Sequence, residues 1–355
     1  MTRACLAAIA LLAVAVPARA QQSDTGPLRL LVQGDVGYSK PSPLAPQDPP
    51  DGSFVRLHRV LVGDELSGHD VHALILFEGQ SDSASGQPYS PLAGGLMPFG
   101  GPVRVNEAFV GWAPHRGFEV DAGSLRVPFS LSRQIADADL ALPERPAFID
   151  ADTADFRTGA AVGGDLGELL YRVAILSADQ TIDGHLFGRG FVVAGRIIAE
   201  PIGPVGLRPW RRRADDPWYG WFRFATGVSV LYGTLAAPQT LAVDPEFTAQ
   251  WRQLVISAEY FLSMRLASGT TFHDTGAQGA ALEPGLTWLQ GRLLLAARGY
   301  GQAAGGTTLW AGGAALTGLA ADRRVRLTAG FERRWSNSAP TSSYWAILRL
   351  AVAID

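Results

Sequence analysis

Two histidines three apart, His69 and His72 in "SGHDVHAL", form the closest histidine pair in the chain and raise the question of a metal site. Zinc needs imidazole, thiolate or carboxylate groups converging on one point. On a strand or turn, side chains three apart do not share a face, and no cysteine or carboxylate cluster completes a ligand set. Both histidines are expected on a surface turn. The carboxylates from Asp137 to Asp155 suggest an acid/base pair or a calcium loop, but the spacing of an EF-hand is absent. No H-E-x-x-H, G-x-S-x-G or Walker-type loop occurs either. The sequence gives no metal, cofactor or catalytic set, and no enzyme is expected.

The remaining chemistry is charge. Lys and Arg total 30 against 33 Asp and Glu, a formal net charge of −3, and Lys40 is the only lysine. That balance points to no polyanionic partner, so no nucleic acid is expected. The arginine bias is read chiefly as the mark of a GC-rich genome. Its placement is more telling. Arg223, Arg292, Arg298, Arg324, Arg326 and Arg349 alternate with apolar residues and so share one face, against Glu78, Glu259 and Glu332. Rings of arginine favour anions in an aqueous pore. The competing reading is a wall of mixed charge that only stays hydrated.

The elements that would position these arginines are strands. In "WFRFATGVSVLY", Phe222, Phe224, Thr226, Val228 and Val230 oppose Arg223, Ala225, Gly227 and Ser229. The runs "RLLLAARGY" and "RRVRLTAGFE" alternate in the same way. Period two places successive side chains on opposite faces of a sheet. Strands are predicted at 28–38, 54–64, 70–79, 103–113, 117–127, 157–164, 168–178, 189–200, 221–233, 242–251, 253–265, 278–288, 291–301, 307–319, 323–335 and 342–354. That is about sixteen, with fourteen or eighteen left open, in the range of outer-membrane barrels. Short links such as "GDLGE" and "WRQ" alternate with long ones, as periplasmic turns alternate with external loops. One long link, "EPIGPVGLRPWRRRADDPWYG", falls on the short-turn side, and its Arg211–Arg213 run reads as a solvated turn.

The reading is therefore all-β: a transmembrane antiparallel barrel with its apolar face to lipid and its arginine face to water. Closure would pair every edge amide, as hydrocarbon demands. Trp112, Trp221, Trp288, Trp310, Trp335 and Tyr344 fall near strand ends, where aromatic girdles belong. Residues 1–20 have a basic start, an apolar run and an Ala-x-Ala end, the layout of a cleaved signal peptide, which leaves 21–355 as the barrel. The sole cysteine, Cys5, lies in that leader.

One stretch does not turn back as a strand should. "GSLRVPFSLSRQIADADLALPERPAFIDAD" runs from an alternating strand into a charged segment, 128–156, without tight-turn residues. It is read as a loop folded into the lumen, with Arg126, Arg133, Asp137, Asp139, Glu144 and Arg145 at the pore constriction and Leu131, Leu140 and Phe148 as wall anchors. Residues 103–151 resemble the phosphate-selective porin O/P-type outer-membrane porins. The resemblance rests on Gly123, Arg126, Val127, Pro128, Phe129, Leu131, Asp139, Leu140, Glu144 and Arg145. Weaker echoes lie at 55–78, 253–261 and the ending "AILRLAVAID". The chain departs from the family in ending at Ile354-Asp355 rather than an aromatic residue, and in lacking pore lysines. The resemblance implies a homotrimeric pore in the outer membrane of a Gram-negative bacterium, in contact with its lipid. It would pass small solutes or anions. Alternatives are a non-conducting structural or surface-binding barrel, a barrel-embedded hydrolase and a soluble β-sandwich.

Overall fold

Sixteen strands close into one antiparallel barrel in which each strand pairs with its sequence neighbours and β1 pairs with β16. The computed structural model describes residues 29–40, 52–68, 70–79, 103–135, 140–146, 156–178, 190–205, 220–233, 239–266, 272–304, 306–320, 325–337 and 342–354. The strands are β1 (Arg29–Lys40), β2 (Gly52–Ser67), β3 (Val71–Gly79), β4 (Val103–His115), β5 (Phe118–Arg126), β6 (Phe156–Asp165), β7 (Leu169–Ser177) and β8 (Phe191–Ala199). The second half comprises β9 (Phe222–Gly233), β10 (Gln239–Trp251), β11 (Leu254–Leu266), β12 (Phe272–Trp288), β13 (Leu293–Ala304), β14 (Thr307–Ala320), β15 (Val325–Ser336) and β16 (Ser343–Ile354). Each predicted strand is present. The largest boundary error is at β12, which starts at Phe272 rather than 278, because "FHDTGAQG" pairs with β11 despite its polar composition.

Alternation decides which face each side chain takes. On β9, Val228 and Val230 are 40% and 41% exposed while Arg223 and Ser229 are 4% and 0%. Apolar side chains thus face outward around the wall, an arrangement that water would penalise and hydrocarbon rewards. Aromatic residues gather at both rims of the outer face. Tyr38, Tyr232, Trp310 and Trp335 are exposed toward the long-loop end, and Trp112, Trp221, Phe222 and Trp251 toward the short-link end.

The inside is not the uniformly wet channel that alternation alone suggests. Inward positions Leu176, Val192, Leu231, Phe261, Tyr300 and Leu309 form an apolar cluster with Val127 and Phe129 of the segment after β5. A second cluster joins Leu131, Ile135, Leu140 and Leu142 of that segment to Val255, Leu294, Ala296 and Ala315 of the wall. The barrel therefore has a packed core, built where a returning loop meets inward side chains. Leu131 and Leu140 are two of the three predicted anchors; Phe148 lies outside the described residues.

Candidate functional site: the inserted segment and the lumen wall

The segment enters the barrel through Ser130, whose φ of 64° is unusual for a residue with a side chain. Its neighbours hold it there. The Ser130 amide donates to Ser229 Oγ at 3.2 Å, and its hydroxyl donates to Glu259 Oε2 at 2.9 Å. Glu259 also accepts from the Ser132 amide at 3.2 Å and from the Ser132 hydroxyl. Phe129 meets Phe261 edge-on with centroids 6.0 Å apart. One helical turn follows, Leu131–Gln134.

Two predicted constriction residues bind carbonyls around this turn. Arg126 Nη1 donates to the Arg133 and Gln134 carbonyls at 3.1 Å each, with its guanidinium 5.1 Å from the Phe156 ring centre. Arg145 donates through Nε to the Ser132 carbonyl at 3.0 Å and through Nη2 to that of Ile135 at 2.8 Å. Cations beside unsatisfied helix carbonyls are stabilising. Arg133 is buried within the barrel, and Glu144 is half-buried. Asp137 and Asp139 lie outside the described residues.

The arginines predicted to coat an aqueous wall do not share one environment. Arg298, Arg326 and Arg349 reach the inserted segment and bind its backbone. Arg298 Nη1 donates to the Glu144 carbonyl at 2.7 Å, Arg326 to the Leu140 carbonyl and Arg349 to the Pro143 carbonyl. Several of their other donors meet carboxylates and hydroxyls. Arg298 bonds Glu283 at 2.5 Å, and Arg349 binds Asp35 through two nitrogens at 2.7 and 2.9 Å and Glu144 at 2.9 Å. Arg223, also inward, bonds Gln250 at 2.6 Å and the Pro204 carbonyl at 2.7 Å. Arg292 is a correction. It closes the turn Leu289–Gly291 one residue before β13 and is exposed there, because the strand begins after it. Arg324 and Glu78 complete the set: Arg324 lies outside the described residues, and Glu78 has no described side chain.

The expectation that these arginines stay solvated is also corrected. The Arg298 and Arg349 side chains are 1% and 5% exposed, and Glu332 and Asp35 are fully covered. Hydrogen bonds to charged groups contribute about 1.5–3 kcal/mol each, so arginine contacts on β13, β15 and β16 fasten the segment to that wall.

The more accessible inward charge lies across the barrel. Arg172 on β7 pairs with Glu119 at 2.8 Å and with Asp121 at 2.5 Å, both on β5. Asp121 also meets His72 Nε2 on β3 at 3.1 Å. His72 is therefore not the surface-turn histidine that its spacing suggested, since β3 turns its ring inward against Asp121 and Phe109. Arg196 on β8, which is buried, forms a bidentate pair with Glu246, donating to Oε1 at 2.6 Å and to Oε2 at 3.2 Å. Sequence reasoning passed over Arg172 and Arg196. Their signal was a lone arginine inside "LLYRVAIL" and "VVAGRIIA", at the inward phase of each strand.

Beside these residues is a chamber of about 780 Å³ at the short-link end. Pro128 and Gln134 of the inserted segment border it on one side. The wall from the β2–β3 link to β8 borders it on the other. The segment thus packs against inward residues of β7–β9 and β11, is hydrogen-bonded to β13, β15 and β16, and leaves open space at the short-link end between the β2–β3 link and β8.

No protein-family model matches the chain, and no curated protein matches it. Solved structures do. An anion-selective porin from Comamonas acidovorans is similar over 92% of this chain and 98% of its own, with a TM-score of 0.60 and 12% identity. A loop-deletion mutant of OmpT, an outer membrane protein of Vibrio cholerae, has the same coverage with a TM-score of 0.57 and 7% identity. A BenF-like porin from Pseudomonas fluorescens matches over the same shares at 0.51 and 9%. At such identities the likeness is one of fold: the chain has the architecture of a porin-type barrel.

Proposed function

We propose that this chain is an outer-membrane porin of a Gram-negative bacterium, exported by its N-terminal signal peptide, that lets small hydrophilic solutes diffuse passively through a water-filled passage. One observation carries the reading: a closed barrel, apolar outside, holds an inserted segment within it and still keeps a chamber open at the short-link end. A purely structural barrel has no need of such a chamber. The likeness in fold to porins supports the same reading.

The constriction is assigned to Arg126, Arg133, Asp137, Asp139, Glu144 and Arg145. A mild anion preference is its finer form, set by arginines of the constriction. Phosphate would be one such anion, and the assembly a homotrimer in outer-membrane lipid. The alternative, a non-conducting barrel, draws on the buried ion pairs that fill the β13–β16 side. Single-channel recording in a planar bilayer separates them. Stable current steps support the porin, and a silent, correctly folded barrel overturns it. Under a salt gradient, a reversal potential of cationic sign would remove the anion preference while leaving the pore.

A further inference from the structure

We propose that the chamber at the short-link end favours small zwitterions, solutes carrying one ammonium and one carboxylate group. This deepens the channel reading and rests on it. The chamber wall carries three arginines and three carboxylates: Arg116, Arg172, Arg196, Asp70, Glu119 and Asp165. They are interleaved rather than sorted. Arg116 pairs with Asp165 at the rim, and Arg172 sits between Glu119 and Asp121.

Accessibility sets Arg172 and Glu119 apart from the other inward ions, including Arg196, which is buried against Glu246. The Arg172 and Glu119 side chains are 32% and 33% exposed, whereas Arg298 and Glu332 are 1% and 0%. A passing solute can compete for water-accessible charges but not for charges sealed beneath the inserted segment. At a wall of alternating sign, an ion of either charge meets repulsion beside each attraction. A dipolar solute can place its carboxylate against Arg172 and its ammonium against Glu119. Because those two residues already satisfy each other, the contact is weak, and conduction requires that solutes leave as readily as they enter. The chamber volume falls within the usual range for small-molecule sites, roughly 300–1,000 Å³.

The test is uptake of radiolabelled solutes of similar size into proteoliposomes holding the full mature chain. The set is alanine, lactate, 1-amino-2-propanol and glycerol. Alanine is expected to enter faster than lactate or aminopropanol. Arg172→Gln and Glu119→Gln should each slow alanine about two- to fivefold, the weight of one partly exposed charge pair, with glycerol unchanged. Heat-modified gel mobility verifies that each variant is a folded barrel; if one fails to fold, the other carries the test. Lactate outrunning alanine, or the same alanine-to-glycerol ratio in wild type and variants, overturns the zwitterion assignment and leaves the channel intact. Exclusion of all four, glycerol included, overturns the channel itself and this assignment with it.

Discussion

Pro143 of the inserted segment lies directly on Gly330 of β15: a methyl group placed on that glycine would stand 2.6 Å from the proline Cδ. The contact is possible only because position 330 has no side chain on the inward face. Neighbouring Arg349 holds the Pro143 carbonyl, so backbone contact and hydrogen bond locate the same point of the loop.

Filling that space should lift the segment. Gly330→Leu is expected to leave the barrel folded while raising current noise and the largest solute that passes. Measurement is by single-channel recording with polyethylene glycols of graded size. An unchanged cut-off would mean that the segment does not limit the passage.

Arg349 and Asp35 join the last strand to the first, with Asp35 fully covered. Removing one partner of a buried pair typically costs about 3–5 kcal/mol, whereas replacing both with apolar residues is often neutral. Arg349→Met should therefore lower the unfolding midpoint strongly, and adding Asp35→Leu should recover most of the loss. Urea titration in lipid vesicles reads both. A double variant no better than the single one would show that the deficit comes from the lost loop contact instead.

Burial in a bilayer makes a depth-dependent forecast. Val228 faces outward near the middle of β9, and Trp251 ends β10 at the rim. Val228→Arg should cost about 2–4 kcal/mol and Trp251→Arg about 0–1 on charge grounds. Equal penalties in vesicle unfolding would contradict a lipid-facing exterior.

Cys5 is the chain's only cysteine, so a Cys5→Ser background is free of other thiols for labelling. A charged, water-borne thiol reagent should modify Arg172→Cys rapidly and Leu327→Cys hardly at all. The first position borders the chamber and the second faces outward from β15. The reverse order would turn the barrel inside out.

What the sequence disclosed, and what it hid, follows from the range of each signal. Period two is local, so strands such as β9 and β15 and the inward phase of Arg223, Arg298, Arg326 and Arg349 were legible from a dozen residues. The break after Arg126 was legible too, since a charged segment replaced a turn. Partnership was not. Arg349 meets Asp35, 314 positions away, and Arg298 meets the Glu144 carbonyl, 154 away. Only barrel closure and register bring those pairs together. Without them, arginines that fasten a loop look identical to arginines that coat a channel. His72 was misplaced for the same reason: its partner Asp121 sits on β5, separated from β3 by β4.

The bonds from Arg349 also constrain the order of assembly. Its strand is the last of the sixteen in chain order, yet it clasps the first strand and the inserted segment at once. Contacts so distant along the chain form late, after the loop-closure entropy has been overcome. A barrel still lacking its final strand would therefore hold the inserted segment less firmly than the finished one, so docking of the segment is completed as the seam seals.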